Sequence, residues 1–227
     1  MKLKTYVYID GFNLYHRALK KTPYKWLDLK ALFQRILDDK HEIIGIKYFT
    51  AIVSGKLDPN KPIRQQVYLR ALQLFIPEIS IHYGQFMSHH VWARLSGARQ
   101  AKRWKNGKEV LISLKGVVPK NSSAEIIKTE EKGSDVNLAV HLLNDAWLGK
   151  YDCAVVLSND SDLKEAITLV KDHHKKLIGV AIPPNCIPLK DLNGVAYFVK
   201  KIKNASLIAS QSSDFIPGTN VHKPKEW

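Results

Sequence analysis

The chain has 227 residues, 35 of them Lys or Arg and 21 Asp or Glu, giving a formal net charge of +14 at pH 7. That length suits one α/β domain with a full core and is short for two, and apolar and charged fractions of 45% and 25% exclude a collagen-like or low-complexity chain. Such an excess of positive charge makes a polyanion the natural partner.

Residues 5–9, Thr-Tyr-Val-Tyr-Ile, read as a strand that ends on Asp10, with Gly11 permitting a tight turn and Leu14 opening a helix. This apolar run is too short for a signal peptide, and no later stretch could span a bilayer, so the expectation is a cytoplasmic protein that meets no membrane. Residues 28–37 place Leu29, Leu32, Phe33 and Ile36 at helical spacing. Residues 43–53 predict a second strand, 61–75 a helix stopped by Pro77, and 79–86 a third strand. Strand, helix, strand, helix, strand at these spacings predicts βαβ units on a parallel sheet.

The pattern breaks over residues 87–124, which carry many cations against a single acid, Glu109, with Trp92 and Trp104 interleaved. Asn106-Gly107 is a two-residue hairpin signal, so the stretch reads as a hairpin insertion or a long loop. Basic residues with interleaved aromatics suit backbone phosphates and stacked bases. The candidate nucleic-acid contacts are Arg94, Arg99, Lys102, Arg103, Trp104, Lys105, Lys108 and Lys115. The other reading is a solvated charged arm whose tryptophans pack inward.

Residues 124–128 look like a short strand, and Gly133-Ser134-Asp135 starts a helix with Val136, Leu138, Ala139, Leu142, Leu143, Ala146 and Trp147 as its apolar stripe. Lys132 stands beside Asp135. Gly149 ends that helix. Residues 153–157 form a continuous apolar run, as in a strand covered on both faces, and stop at Ser158. Asp160 and Asp162 follow, and a helix is expected over residues 162–173. Asp162 with Glu165 three residues on resembles a capping box. A cap needs one carboxylate, which leaves the second unexplained. A strand over 177–182, a short helix over 189–192 and an edge strand over 195–199 complete a domain of residues 1–205. The polar tail, 206–227, is expected to be mobile unless it docks. Cys153 and Cys186 fit no metal-ligand spacing and read as reduced thiols.

Asp10, Asp135, Asp160 and Asp162 are scattered in sequence, yet each lies where a strand ends or a helix begins. Ligands of open α/β sheets bind beyond the carboxyl ends of the strands, and four facing carboxylates repel unless a cation lies between them. Hard divalent ions take such oxygen ligands. No Walker or dinucleotide-type glycine loop, His-Glu-x-x-His or Gly-x-Ser-x-Gly motif is present.

Three segments carry a resemblance: Tyr8-Ile9-Asp10-Gly11-Phe12-Asn13-Leu14-Tyr15, Glu131-Lys132-Gly133-Ser134-Asp135-Val136 and Leu157-Ser158-Asn159-Asp160-Ser161-Asp162-Leu163. In order and spacing they resemble the three motifs of NYN domains, within the PIN-like nuclease superfamily. The resemblance implies a Rossmann-like α/β/α three-layer fold around a mostly parallel sheet, a Mg²⁺ or Mn²⁺ site, and cleavage of RNA. It implies that Asp10, Asp135, Asp160 and Asp162 are the catalytic and metal-binding acids, with Asn13 and Ser158 supporting them; Lys132, beside Asp135, is a further candidate for a supporting role. The rival reading is an RNA-binding regulator with a weak or inactive site. DNA as the partner and a homo-oligomeric state stay open. Many relatives carry Asp where this chain has His141; at about 100° per residue, His141 lies roughly 240° round the helix from Asp135. It therefore either acts at the edge of the site or packs beside the sheet.

Overall fold

The computed structural model describes residues 2–56, 58–94, 100–105, 108–113, 123–187 and 190–227, with side chains for all of these except 100–105 and 108–113. Six strands form the central sheet: β1 (Leu3–Asp10), β2 (His41–Thr50), β3 (Ile79–Tyr83), β8 (Cys153–Leu157), β9 (Leu177–Ile182) and β10 (Phe198–Lys201). Their order is β10-β9-β8-β1-β2-β3 and every neighbouring pair is parallel. The chain builds outward from β1 in one direction and later from β8 in the other. The strand order therefore reverses between β1 and β8, the switch point at which such sheets bind ligands.

Each face of the sheet has its own core. On one side Val7, Ile9 and Ile46 meet α2 (Leu29–Ile36) through Leu32 and Phe33, and α3 (Asn60–Phe75) through Leu69 and Leu72. On the other, Tyr8, Phe49, Ala154 and Val156 meet α4 (Ser134–Trp147) through Leu138 and Leu142, and α5 (Lys164–His174) through Ile167 and Val170. Alternate strand residues point to opposite faces, so one apolar strand feeds both layers. Asp28 caps α2 by accepting the Ala31 N–H at 2.9 Å, as its sequence position suggests. Among the described residues, no helix is long and apolar enough to cross a membrane.

Several elements differ from the sequence expectations. The third strand stops at Tyr83. After Gly84 the chain leaves the sheet as β4 (Gln85–Arg94), which pairs antiparallel with β7 (Ser123–Lys132) over ten residue pairs. The residues expected as a short strand over 124–128 thus belong to an arm spanning 85–132, longer than the expected 87–124 insertion. Within it β5 (Gln100–Lys105) and β6 (Lys108–Ser113) pair antiparallel, Lys105 opposite Lys108. The Asn106-Gly107 turn itself lies outside the described residues. Val136 and Trp147, assigned to the buried stripe of α4, are 65% and 78% exposed; the stripe is carried by Leu138, Leu142, Asp145 and Ala146. The helix expected over 189–192 runs instead as α6 (Lys190–Val195), and the edge strand is shifted to Phe198–Lys201.

The stretch from Ser206 docks. It forms most of α7 (Asn204–Ala209), whose Leu207 is fully buried, and Ile216 and Val221 join the α2/α3 core. The Trp26 indole N–H donates to the Ser213 carbonyl at 2.7 Å, and the Trp227 ring packs edge-on against Tyr68 at 5.6 Å.

Candidate active site

Asp10 ends β1 at the switch point and is 6% exposed. One carboxylate oxygen accepts the backbone N–H of Asn13 at 2.8 Å, which also caps the short helix α1 (Gly11–Leu14). The other accepts the Ser158 hydroxyl at 3.1 Å. Burial nonetheless raises the Asp10 carboxyl above its ordinary range, against the lowering effect of those two hydrogen bonds. A carboxylate that is buried, oriented by two donors and still disfavoured in its charged form is short of positive charge.

Asp160 follows the buried Ser158 beyond the end of β8. Its carboxylate accepts the Asp162 N–H at 3.0 Å and caps a single 3-10 turn, Ser161–Leu163, that leads into α5. Asp160 is therefore the cap, in place of the Asp162–Glu165 box expected from the sequence, and Asp162 is exposed on the turn it caps.

Asp135 lies in the first turn of α4, which begins after Gly133 at φ 94°, a conformation suited to glycine. Glu131 accepts the Ser134 N–H at 3.0 Å. This junction is tight: a Cβ at Gly84 would stand 2.5 Å from the Lys132 carbonyl oxygen and 2.6 Å from a Glu131 carboxylate oxygen. The missing side chain lets the outgoing and returning strands of the arm meet at the root of α4, beside Asp135.

The Asp135 carboxyl is pushed up to about 6, first by burial and then by Asp10, Asp160, Glu131 and Asp162 in falling order. All four expected acids thus share one electrostatic neighbourhood, and Glu131 adds a fifth. The acids do not close into a cage: among the described residues, no set of three or more His, Cys, Asp or Glu side chains is grouped to hold a metal ion. Two uncharged oxygens close to this set, Asn13 Oδ1 and Ser134 Oγ, are buried without a hydrogen-bond partner among the described residues.

The donor set consists of hard oxygens, which fits Mg²⁺ or Mn²⁺. Mg²⁺ keeps several of its waters and uses one or two carboxylates together with substrate phosphate, so an open arrangement suits it. Among the expected supporting residues, Ser158 holds Asp10 directly and Asn13 does so through its backbone N–H. Lys132 points elsewhere, its ammonium 3.4 Å from Glu130 on the arm.

The expected nucleic-acid contacts lie on the arm. Arg94 is exposed at the end of β4, opposite Ser123. Lys102, Arg103, Trp104, Lys105 and Lys108 lie on β5 and β6. Arg99 and Lys115 are outside the described residues. Trp92, expected to pack inward if the arm were only solvated, is 74% exposed on β4.

Sequence reasoning missed a second acidic centre. Asp145 on α4 is fully buried, accepts the Tyr8 hydroxyl at 2.8 Å and forms a close ion pair with Lys47. Lys150 stands 3.0 Å from its other oxygen as an ion pair rather than an aligned hydrogen bond. His141 belongs here: its Nδ1 lies 3.1 Å from the Lys47 ammonium and its ring 4.1 Å from that of His82. Burial is the first cause that lowers the His141 pKa, and the charges acting on it are Lys47, Asp145 and Lys150, none of them an acid of the Asp10 set. The available signal was a charged residue interrupting an apolar pattern: Asp145 at the seven-residue interval from Leu138, and Lys47 within β2.

A parallel α/β sheet with acids gathered at its switch point defines a Rossmann-like domain with a nuclease-like fold. The chain belongs to the NYN domain family, whose pattern matches residues 4–200. It is 31% identical to 6-hydroxy-3-succinoylpyridine 3-monooxygenase HspA of Pseudomonas putida, an alignment covering 99% of this chain and 75% of that protein. A crystal structure of a protein of unknown function from Vibrio parahaemolyticus superposes with a TM-score of 0.52 at 15% identity, over 89% of this chain and 94% of that one. At that identity the likeness bears on the fold alone.

Proposed function

We propose that the protein is a divalent-metal-dependent ribonuclease, with Asp10, Asp135, Asp160 and Asp162 holding Mg²⁺ or Mn²⁺ and the basic arm holding RNA. The observation that carries this reading is the environment of Asp135: burial plus four neighbouring acids raise its carboxyl to about 6. Helix capping calls for one carboxylate at each start, so a gathering of five around the buried Asp10, with Asp135 half-buried, is left for a cation to balance. A divalent ion bound there lowers the pKa of a water and stabilises charge on phosphate oxygens. The chain's own part is to orient Asp10 through Ser158 and the Asn13 N–H, to keep that carboxylate out of bulk water, and to grip the phosphate backbone through the arm beside Asp135.

The test is cleavage of end-labelled single-stranded RNA by the purified protein in Mn²⁺, in Mg²⁺ and in EDTA. Cleavage is expected with the ions only, and a fall of at least about 100-fold, some 3 kcal/mol in the barrier, in Asp10→Asn and in Asp160→Asn. Wild-type-like cleavage by both variants rejects the assignment. Neutralising Arg99, Lys102, Arg103 and Lys105 together is expected to flatten the salt dependence of RNA binding, by about 0.7 in log–log slope for each phosphate that is no longer gripped.

The rival reading, an RNA-binding regulator without turnover, is favoured by one observation: the acids are not grouped closely enough to form a ready ligand cage. Salt-dependent RNA binding with no cleavage in either ion would select it. HspA, named as a monooxygenase, makes hydroxylation of a pyridine the further activity to assay on the same preparation.

A further inference from the structure

Behind α1, on the α3 side of Asp10, lies a pocket of about 380 Å³. Its chemistry is the reverse of the acid crevice. The aromatic walls come from Phe12, Tyr15, Tyr48, Tyr68 and Trp227. Four cations line it, Lys20, Lys25, Lys61 and Arg64, against two carboxylates, Asp58 and Glu226. Asp58 is already engaged, by a close ion pair with Arg64 and by the Asn60 N–H at 3.0 Å, and Glu226 is exposed. Lys20, Lys25 and Lys61 have no carboxylate within ion-pair distance among the described residues.

We propose that this pocket binds a small anionic aromatic molecule: one flat ring carrying a phosphate or a carboxylate. The volume is near the lower end for small-molecule sites, which suits a single ring and its charged arm rather than a dinucleotide. Rings stack and meet edge-on against aromatic walls, and a phosphate or carboxylate forms charge-assisted hydrogen bonds with ammonium groups. The Lys25 ammonium is lowered by burial first and by the Arg64 charge second, so an anion there relieves a like-charge contact. The Tyr48 ring closes over Gly11 and feels the Asp10 charge, so the occupant would lie next to the acid crevice without sharing its ligands. The assignment stands apart from the ribonuclease reading: a strand's terminal nucleotide and a free aromatic acid both have this chemistry.

The experiment is calorimetric titration in EDTA, which removes any contribution from ions at the acids. The probes are uridine 5′-monophosphate and pyridine-3-carboxylate; uridine and inorganic phosphate are the controls. At least one probe is expected to bind about tenfold more tightly than either control, a difference of about 1.4 kcal/mol, and to quench tryptophan fluorescence. The monophosphate as the tighter ligand assigns the pocket to a nucleotide, and the pyridine acid assigns it to a free aromatic acid. Lys61→Glu, at an exposed position, is expected to weaken the preferred probe at least about tenfold with an unchanged melting temperature. Lys25→Met gives an independent reading at a half-buried position. Probes that bind no better than phosphate or uridine overturn the proposal, as does undiminished binding in both variants.

Discussion

The protein holds two buried acidic centres a few residues apart along β1, and they are opposites. At Asp145 one carboxylate is met by a tyrosine hydroxyl and two ammonium groups, and its carboxyl is lowered despite full burial, which acts to raise it. At Asp10 and Asp135 no cation stands among the charges that act on the carboxyls, and both are raised, by burial first and then by neighbouring acids. Tyr8 and Asp10 both sit on β1, so one strand feeds both. A carboxylate that has its counter-charges built in is structural; one that lacks them leaves room for a cation from solution. The difference shows that counting acids in a motif matters less than finding which of them the chain has already neutralised.

The comparison breaks first at Asp145. Asp145→Ala leaves Lys47 without its counter-charge and the Tyr8 hydroxyl buried without a partner, and is expected to cost about 3–5 kcal/mol of unfolding free energy, read by urea denaturation. A loss under about 1 kcal/mol would show that this centre does not hold the sheet to α4. The Asn variants of Asp10 and Asp160 should do the reverse, losing cleavage while keeping the fold.

Acid titration of the metal-free protein sharpens the contrast. The Asp135 carboxyl is raised in the folded state from 3.8 to about 6, so the folded chain binds the extra proton and stability falls as pH rises from about 4 to about 6. Asp145 is lowered, so its contribution is present above its ordinary value and is lost as pH falls below about 3.8. Melting temperature without metal is expected to decline between pH 4 and 6 in the wild type and to flatten in Asp135→Asn. Added Mn²⁺ should restore stability at pH 7 more than at pH 5. An Asp135→Asn profile that declines as steeply as the wild type would remove the acid crevice as its cause.

The smallest expected effect is at His141. It touches Lys47 and the rings of His82 and Phe49, so His141→Ala should lower stability by about 1 kcal/mol, the usual size for a partly buried substitution. The Mn²⁺ midpoint for cleavage should not move. A shifted midpoint would tie the two centres together.

The fold and the acid set were legible for the same reason. A parallel strand buried on both faces must be apolar along its length, so β1 and β8 announce themselves and the carboxylates after them stand out. The Asp145 centre was not legible, because its members are distant in sequence and each reads alone as a blemish: a Lys in β2, an Asp on α4, a Tyr in β1. Only the packing of α4 over β1 and β2 joins them. The extent of the arm was obscured because β3 and β4 run almost continuously through Gly84, and periodicity carries no mark of leaving a sheet. The polar composition of the tail left its docking open; Leu207, Ile216 and Val221 bury in the core, and Ser213 and Trp227 add further contacts.

The pairing of β4 with β7 has a metric consequence. At about 3.3 Å per residue, ten paired residues make a ribbon roughly 33 Å long whose root, pinned at Gly84 and Gly133, touches the helix turn bearing Asp135. Phosphates along one strand of a duplex repeat every ~3.4 Å, so such a strand laid on the ribbon would run about ten phosphates from tip to root. On the ribonuclease reading proposed above, the arm would be a ruler as well as a surface: its length would decide how far from a gripped end the backbone meets the acids, and deleting matched pairs of residues from its two strands would move that point by a countable number of nucleotides.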